Sequence, residues 1–413
     1  MPGGEGLARL PDGRVGFARG VAPGDRIAVH AVDERRGYLR ATSWQLLEPS
    51  PERAPPPCPV ADRCGGCDWM HLGRDAQLRG KAAVLREALR RTGGLRELPA
   101  ALAVRAVGSD LGYRCRLRLH VDGAGRVGLF AHASHELVEI PGCPVSALEI
   151  EAVLRELRTL GAGAAAGPGI GCDLEIRVAP GGPGVSVHVL ARDRPTGRPA
   201  DAWLAALSDR WTVSLPGESY DPHKEQRWPL PGGVELRAPP QAFTQVNWPV
   251  NLAIVQALIE GARARGVRRF CDLYCGAGNF ALALLAAGFE GVGVDRAGAG
   301  IRAAARAARD QGLERGAFVA AEVAAELPRM RARGERFELV VLDPPRTGAR
   351  EILPEIVALG PAVLGMCACD PVTLARDLRA LGESGYELEA IEGFDMFPHT
   401  HHVEALAWLR RQG

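Results

Sequence analysis

Apolar and polar positions follow three rhythms along the chain. Residues 14–17, 26–32 and 38–43 alternate with a period of two and are separated by Gly-rich turns. This pattern predicts short strands, and for residues 1–49 a small β-barrel of the kind that often binds RNA. A Pro-rich joint over residues 49–59 then interrupts the chain. Leu78, Leu85 and Leu89 recur at helical spacing and predict a helix over residues 74–92. Period-two alternation returns at residues 116–121, 127–130, 137–140, 174–178 and 185–190, with a Gly/Ala-rich loop expected over 161–171. Residues 50–237 thus read as a mixed α+β domain. From residue 238, and distinctly past 250, the rhythm becomes strand–helix repeats. Apolar strands are predicted at 270–274, 291–295, 337–342 and 362–366, and helices from 279 and from 301. That alternation predicts an α/β fold with a doubly wound parallel sheet over residues 238–413.

Composition narrows the setting. Of the 413 residues 46% are apolar, enough for a substantial core, yet no apolar run of about 18 residues exists to span a membrane. The first residues are too polar for a signal peptide, so a cytoplasmic protein is expected. Its ten cysteines then point to metal and thiol chemistry rather than disulfides. Net charge is +1, but residues 51–130 carry 14 Lys and Arg against 8 Asp and Glu, a local basic excess. Only Lys81 and Lys224 are lysines; the rest of the basic set is Arg, which suits forked phosphate contacts and stacking on bases. No residue pattern indicates a protein partner, and a monomer is the default.

The segment Cys271-Asp272-Leu273-Tyr274-Cys275-Gly276-Ala277-Gly278-Asn279 joins a predicted strand to a helix. Gly276 and Gly278 allow a ligand close to the backbone. Asp295 ends the next strand, where a carboxylate can accept from ribose hydroxyls. Asp343-Pro344-Pro345-Arg346 follows a later strand, where adenosylmethionine enzymes place polar groups near the transferred methyl. No phosphate-loop lysine accompanies the glycines.

Cys369 follows the strand at 362–366, at the same carboxyl edge. A thiolate there suits methylation of uracil carbon 5, which is too weak a nucleophile by itself. Addition of the thiolate at carbon 6 gives carbon 5 carbanion character, and a base must later remove its proton so that the thiolate leaves. Glu404, closing Phe397-Pro398-His399-Thr400-His401-His402-Val403-Glu404, is the base candidate. Cys367, two residues back on the same strand face, is a rival thiol, and a free cysteine is often only a small buried hydrophobe.

Together these residues resemble the RNA (uracil-5-)-methyltransferases of the TrmA, RlmC and RlmD type over most of the chain. Residues 368–377 resemble the family's nucleophile motif, with Cys369 as nucleophile and Asp370 in place of the usual Asn. Residues 395–404 resemble its base motif and give Glu404 that role. The resemblance implies a Rossmann-like class I methyltransferase domain using S-adenosylmethionine. It implies cofactor contacts at Gln245 (within residues 241–247), Tyr274, Gly276, Gly278, Asn279, Asp295, Asp343 and, more loosely, Glu322. The first 48 residues resemble the OB-like TRAM barrel, which favours the branch acting on 23S rRNA. The helix at 74–92 is then expected to pack on the catalytic domain.

Cys58, Cys64 and Cys67 place three thiolates on one loop, with Cys115, Cys143 or Cys172 available as a fourth. On chemistry alone, zinc and an iron–sulfur cluster both fit. The resemblance implies a [4Fe–4S] cluster held by Cys58, Cys64, Cys67 and Cys143. Three rival functions differ in what they require. A methyltransferase acting on an exocyclic nitrogen uses an Asp-Pro-Pro-aromatic loop and needs no cysteine, whereas here Arg346 replaces the aromatic and Cys369 is supplied. A cytosine-5 enzyme adds a cysteine after the fourth strand, where Asp343-Pro344-Pro345-Arg346 has none. A non-catalytic iron–sulfur RNA-binding protein predicts a degraded cofactor loop or nucleophile, and both are intact.

Overall fold

The computed structural model describes residues 4–98, 102–162, 171–180, 184–190, 198–219, 221–240 and 242–412. It begins with a four-stranded sheet. Strands β1 (Gly6–Arg9), β2 (Val15–Ala18), β3 (Arg26–Arg35) and β4 (Tyr38–Glu48) lie in the order β1-β2-β4-β3. The alternating segments form these strands as expected; β1 has no alternation of its own to announce it. Register shifts in the β3–β4 ladder bend the long strands, while the ladder stays open between β1 and β3 among the described residues.

Helix α1 (Arg74–Arg91) follows the predicted bounds closely. Its buried face combines Val84, Leu85, Ala88 and Leu89 with two polar residues, Gln77 and Lys81. Burying two leucines like Leu85 and Leu89 is worth roughly 1.5–3 kcal/mol each. Strand β5 (Val104–Arg105) is two residues long and had no sequence signature.

The middle region is a six-stranded sheet in the order β11-β10-β9-β6-β7-β8. It comprises β6 (Arg116–Val121), β7 (Val127–Phe130), β8 (Leu137–Glu139), β9 (Cys172–Val178), β10 (Val185–Val189) and β11 (Thr212–Ser214). Helices α2 (Leu148–Ala162) and α3 (Arg198–Ser208) accompany it. One face of β6 and β9, with Leu117, Leu119, Leu174 and Ile176, packs on Ile150, Val153 and Leu157 of α2 in one core. Helix α2 takes in the start of the Gly/Ala-rich stretch; residues 163–170 of that expected loop lie outside the described residues. A hairpin, β12 (Gln226–Leu230) and β13 (Val234–Ala238), leads onward.

The last part is an eight-stranded sheet. Helix α4 (Trp248–Ala264) is followed by β14 (Arg269–Leu273), α5 (Asn279–Ala286), β15 (Glu290–Asp295), α6 (Gly298–Asp310) and β16 (Gly316–Ala320). Then come α7 (Val323–Ala332), β17 (Leu339–Leu342), α8 (Leu353–Leu359), β18 (Val363–Ala368), α9 (Pro371–Glu383), β19 (Tyr386–Phe394) and β20 (Glu404–Arg411). The order is β16-β15-β14-β17-β18-β20-β19-β5. Strands β14 to β18 run parallel and β20 runs antiparallel between β18 and β19. β17 and β18 are buried throughout, as continuous apolar runs in a covered parallel sheet should be. β16 is a half-exposed edge strand whose short run, Ala317 to Ala321, was not among the predicted strands. α1 packs along α9, with Leu85 and Leu89 in the same core as Leu374 and Leu378, and β5 pairs with β19. Helix α1 and strand β5 thus complete the flank of this sheet. No helix among the described residues is long and apolar enough to cross a membrane.

Candidate active site and cysteine cavity

The sheet order reverses between β14 and β17, where a crevice opens at the carboxyl ends of the strands. Leu273 pairs with Leu342, so Tyr274 and Asp343 emerge side by side from the sheet. A pocket opens there. Its lining includes Gln245, Tyr274, Gly276, Asn279 and Asp343, five of the residues expected to contact the cofactor. Gly276 has φ +57° and open space where a Cβ would stand, so its backbone is bare to a ligand. Gly278, at φ +92°, lies against Leu282 and Ala304 and makes the turn into α5.

Asp295 accepts the Gly276 N–H at 3.0 Å and the Ala297 N–H at 2.7 Å, which fixes its carboxylate at the rim. Asn279 makes a reciprocal amide pair with Asn251, 2.9 Å in both directions. Gln245 approaches Asp343 at 3.5 Å. Glu322 stands apart: it precedes α7, is exposed, and pairs with Arg296 at 3.8 Å. Gln241 lies outside the described residues.

Two buried atoms suit this cavity to a polar, cationic ligand. The Asp272 Oδ2 accepts from the Ala281 N–H at 2.9 Å, but its Oδ1 has no partner, and neither does the Thr244 hydroxyl. Burial drives the Asp272 pKa far up, with Asp343 and Asp295 adding to it, so a cationic ligand group would relieve the site. S-adenosylmethionine, with an amino group and a sulfonium, fits that donor set. Thr244 and Phe243 line the cavity without having been singled out in the sequence; they stand beside Gln245 in the same motif.

The nucleophile and base candidates come together through strand register. Ala368 of β18 pairs with Ala405 of β20, so Cys369 and Glu404 flank one rung of the ladder. Cys369 is half-buried in a crevice with Pro344, Pro345, Arg346 and Thr373. It precedes α9, whose N-terminus Asp370 caps by accepting from Val372 at 2.9 Å and Thr373 at 2.8 Å. The replacement of Asn by Asp at 370 therefore keeps the cap and adds a charge favourable to the helix dipole. Cys367 is fully buried, and its thiol donates to Glu404 Oε1 at 3.4 Å. It serves as a partner of the carboxyl, whereas Cys369 has access to the crevice.

Asp343, Cys367 and Glu404 converge with ligand atoms all within 4.8 Å. Burial, and then the proximity of Asp343, push the Glu404 carboxyl well above the ordinary range; burial does the same to Asp343. Burial and then Glu404 raise the Cys369 thiol to about 11, opposed by Arg346. Arg346 is thus the cation that opposes the acids at the thiol, a position the motif reading noted only for lacking an aromatic or cysteine.

A second cavity is lined by Cys58, Cys64, Cys67 and Cys143 together with Arg114 and Met70. Of the three candidates for a fourth thiol, Cys143 is the one on this wall. Cys115 points its thiol to the Gln245 and Val246 carbonyls, at 3.3 and 3.0 Å, and Cys172 lies within β9. Arg114 brings a cation whose buried Nε has no partner. Burial works against its charge, but Tyr113, Cys67 and Cys143 outweigh that and raise its pKa. A cluster of thiolates and iron, which is anionic overall, fits this wall.

Comparison with known proteins agrees with the geometry. The family described as tRNA (Uracil-5-)-methyltransferase matches residues 321–412, the part that carries Asp343, Cys369 and Glu404. The chain is 34% identical over 417 residues to the 23S rRNA (uracil(1939)-C(5))-methyltransferase RlmD of Pseudomonas putida, covering 98% of this chain and 90% of that one. It is 32% identical to an uncharacterized RNA methyltransferase of Streptomyces avermitilis, covering 98% and 95%. The crystal structure of Pyrococcus abyssi tRNA (uracil-54, C5)-methyltransferase in complex with S-adenosyl-L-homocysteine shares the fold. Its TM-score is 0.72 at 23% identity, over 98% of this chain and 100% of that chain. With such identity over nearly the whole length of its relatives, the chain belongs to the S-adenosylmethionine-dependent RNA (uracil-5-)-methyltransferase family.

Proposed function

We propose that this enzyme methylates carbon 5 of a uridine in 23S rRNA, with Cys369 as nucleophile and Glu404 as base. The observation that carries the reading is the β18–β20 register, which sets Cys369 and Glu404 opposite each other, with the Glu404 carboxyl within 4.8 Å of Asp343 at the rim of the cofactor pocket. Before reaction the Cys369 thiol must give its proton to solvent and Glu404 must ionise; Arg346 and the N-terminus of α9 favour the thiolate against the surrounding acids, and the positive charge of a bound cofactor would favour the carboxylate. The thiolate adds to uracil carbon 6, and the electron pair moves into the enolate. When bound, the cofactor supplies a methyl group on a sulfonium, which carbon 5 takes. The Glu404 carboxylate then accepts the carbon-5 proton, the carbon 5–carbon 6 double bond re-forms, and the thiolate leaves. Gln245, Tyr274, Gly276, Gly278, Asn279, Asp295 and Asp343 form the cofactor-binding set, with Glu322 at its outer margin.

Cys58, Cys64, Cys67 and Cys143 hold a [4Fe–4S] cluster in this reading. A single zinc ion at about 2.3 Å from each sulfur draws four thiolates to within ~4 Å of one another. The choice of a cluster over zinc rests on the family resemblance and on the buried guanidinium of Arg114, which shares the wall with the thiols. The N-terminal sheet of residues 1–49 acts as a TRAM-type RNA-binding module. Residues 50–237 form the cluster-bearing central domain, and 238–413 the catalytic domain with α1 on its flank. The RNA assignment rests on the relatives named 23S rRNA methyltransferases. Incubation with methyl-labelled cofactor and unmodified 23S rRNA or tRNA tests it. Label at carbon 5 of a 23S rRNA uridine is expected; label only in tRNA, or on another atom, overturns the assignment.

A further inference from the structure

Residues 395–402, which lead into Glu404, have no regular secondary structure, yet most are buried. The bonds this segment makes within itself are few: the Thr400 N–H and hydroxyl both donate to the Phe397 carbonyl, at 3.2 and 2.8 Å, and the His402 N–H donates to the Thr400 hydroxyl at 3.3 Å. His399 has φ +64°, an uncommon conformation for a side chain of its size, so the surroundings must hold it there. Two separate parts of the chain do so.

Helix α1 holds the first half. The fully buried Gln77 accepts the His399 N–H at 2.7 Å and meets His399 Nδ1 at 3.1 Å. Lys81, equally buried, pairs with Asp395 and donates to the Phe397 carbonyl at 2.8 Å. The cysteine loop holds the second half. The Trp69 N–H donates to the His399 carbonyl at 2.9 Å. Asp68, the residue after Cys67, accepts the His401 N–H at 3.1 Å with one oxygen and bonds His401 Nδ1 with the other.

We propose that Asp68 is a positioning residue for removal of the carbon-5 proton, tying the cysteine loop through His401 to the base three residues further on. The proposal rests on the reading of Glu404 as that base. Thiolate addition and methyl transfer do not use Glu404, whereas elimination does: its carboxylate takes the proton, the C–H pair forms the double bond, and the carbon 6–sulfur bond breaks. Loosening His401 therefore slows only the second half of the reaction, while a general loss of structure slows both.

The test uses the full-length protein as isolated, unmodified 23S rRNA and methyl-labelled cofactor. The appearance and decay of an SDS-resistant protein–RNA adduct are followed, and iron per chain is measured in parallel. Asp68→Ala is expected to form the adduct within about twofold of the unchanged rate and to release it at least about tenfold more slowly. Asp68→Asn, which keeps an acceptor for the His401 N–H, falls between. Unchanged release, or formation and release slowed by the same factor, overturns the proposal. Should Asp68→Ala lose iron or fail to fold, His401→Ala breaks the ring contact from the other side and is judged by the same ratio. Glu404→Gln should form the adduct and not release it; no adduct there sinks the assignment of the base and leaves the role of Asp68 separately readable.

Discussion

The active-site cleft and the cysteine cavity both gather cysteines, but their electrostatics are opposite in kind. In the cleft, Asp272, Asp343, Glu404 and Cys369 are all pushed toward their neutral forms, and Arg346 is the cation that counters them at the thiol. The acids crowd a place where a positive group belongs, as a sulfonium would be. In the cavity, four thiols face a buried guanidinium, Arg114, with an unpartnered N–H. That wall awaits a ligand that is anionic once the thiols are ionised. A cysteine's role here is thus set by its surroundings: burial and then Glu404 favour the protonated thiol at Cys369, whereas bound iron would keep the cavity thiols ionised.

The sharpest break between the two regions is by removing one sulfur from each. Cys369→Ala should reduce methyl transfer by more than about 1,000-fold while iron per chain and cofactor binding stay unchanged. Full activity in that variant would move the nucleophile elsewhere, with Cys367 the next thiol to examine. Cys64→Ala should do the reverse: iron and sulfide are lost, and equilibrium binding of cofactor persists in whatever protein remains folded. Zinc in place of iron in the unchanged protein would break the comparison from the cavity side.

Much of the cleft was legible in the sequence because its parts are short and contiguous. Cys369, Asp343 and Tyr274 each follow an apolar strand, and parallel strands bring their carboxyl ends to one edge. Glu404 needed a motif resemblance, since only the antiparallel insertion of β20 beside β18 brings it near Cys369. What was not legible depends on distant contacts. Gln77 and Lys81 break the apolar face of α1; Gln77 donates to the nearby Leu72 carbonyl at 2.9 Å, but the other partners of both lie more than 300 residues away. Lys81 carried one signal, being one of only two lysines in an Arg-rich chain. Strand β5 is too short for any periodicity, and Arg114 reads as one more basic residue until the cavity wall is seen.

A smaller change sharpens the charge argument. Asp343→Asn keeps shape and removes a negative charge beside the cleft. It should weaken S-adenosylmethionine by about five- to tenfold more than S-adenosylhomocysteine, which lacks the sulfonium charge. Calorimetric titration of both ligands reads the ratio, and equal losses would mean that Asp343 serves the cofactor by hydrogen bonding alone.

The smallest effect lies in the ligand-free fold, where the crowded acids are a liability. An unfolded Glu titrates near 4.3, whereas burial and Asp343 hold Glu404 protonated to a higher pH in the folded protein. Above the unfolded value the folded chain therefore binds more protons, and its stability falls as pH rises until Glu404 itself ionises. Glu404→Gln cannot titrate, so it should be more stable than the unchanged protein by an amount that is near zero at pH 4 and grows through neutrality. By pH 8.5 the gain should reach on the order of 1–2 kcal/mol, visible as a thermal midpoint a few degrees higher. The same substitution stops turnover, so one residue would trade stability for chemistry. A midpoint difference independent of pH would show that Glu404 is ionised and well accommodated in the resting cleft, and the contrast with the cysteine cavity would then rest on Asp343 and Asp272.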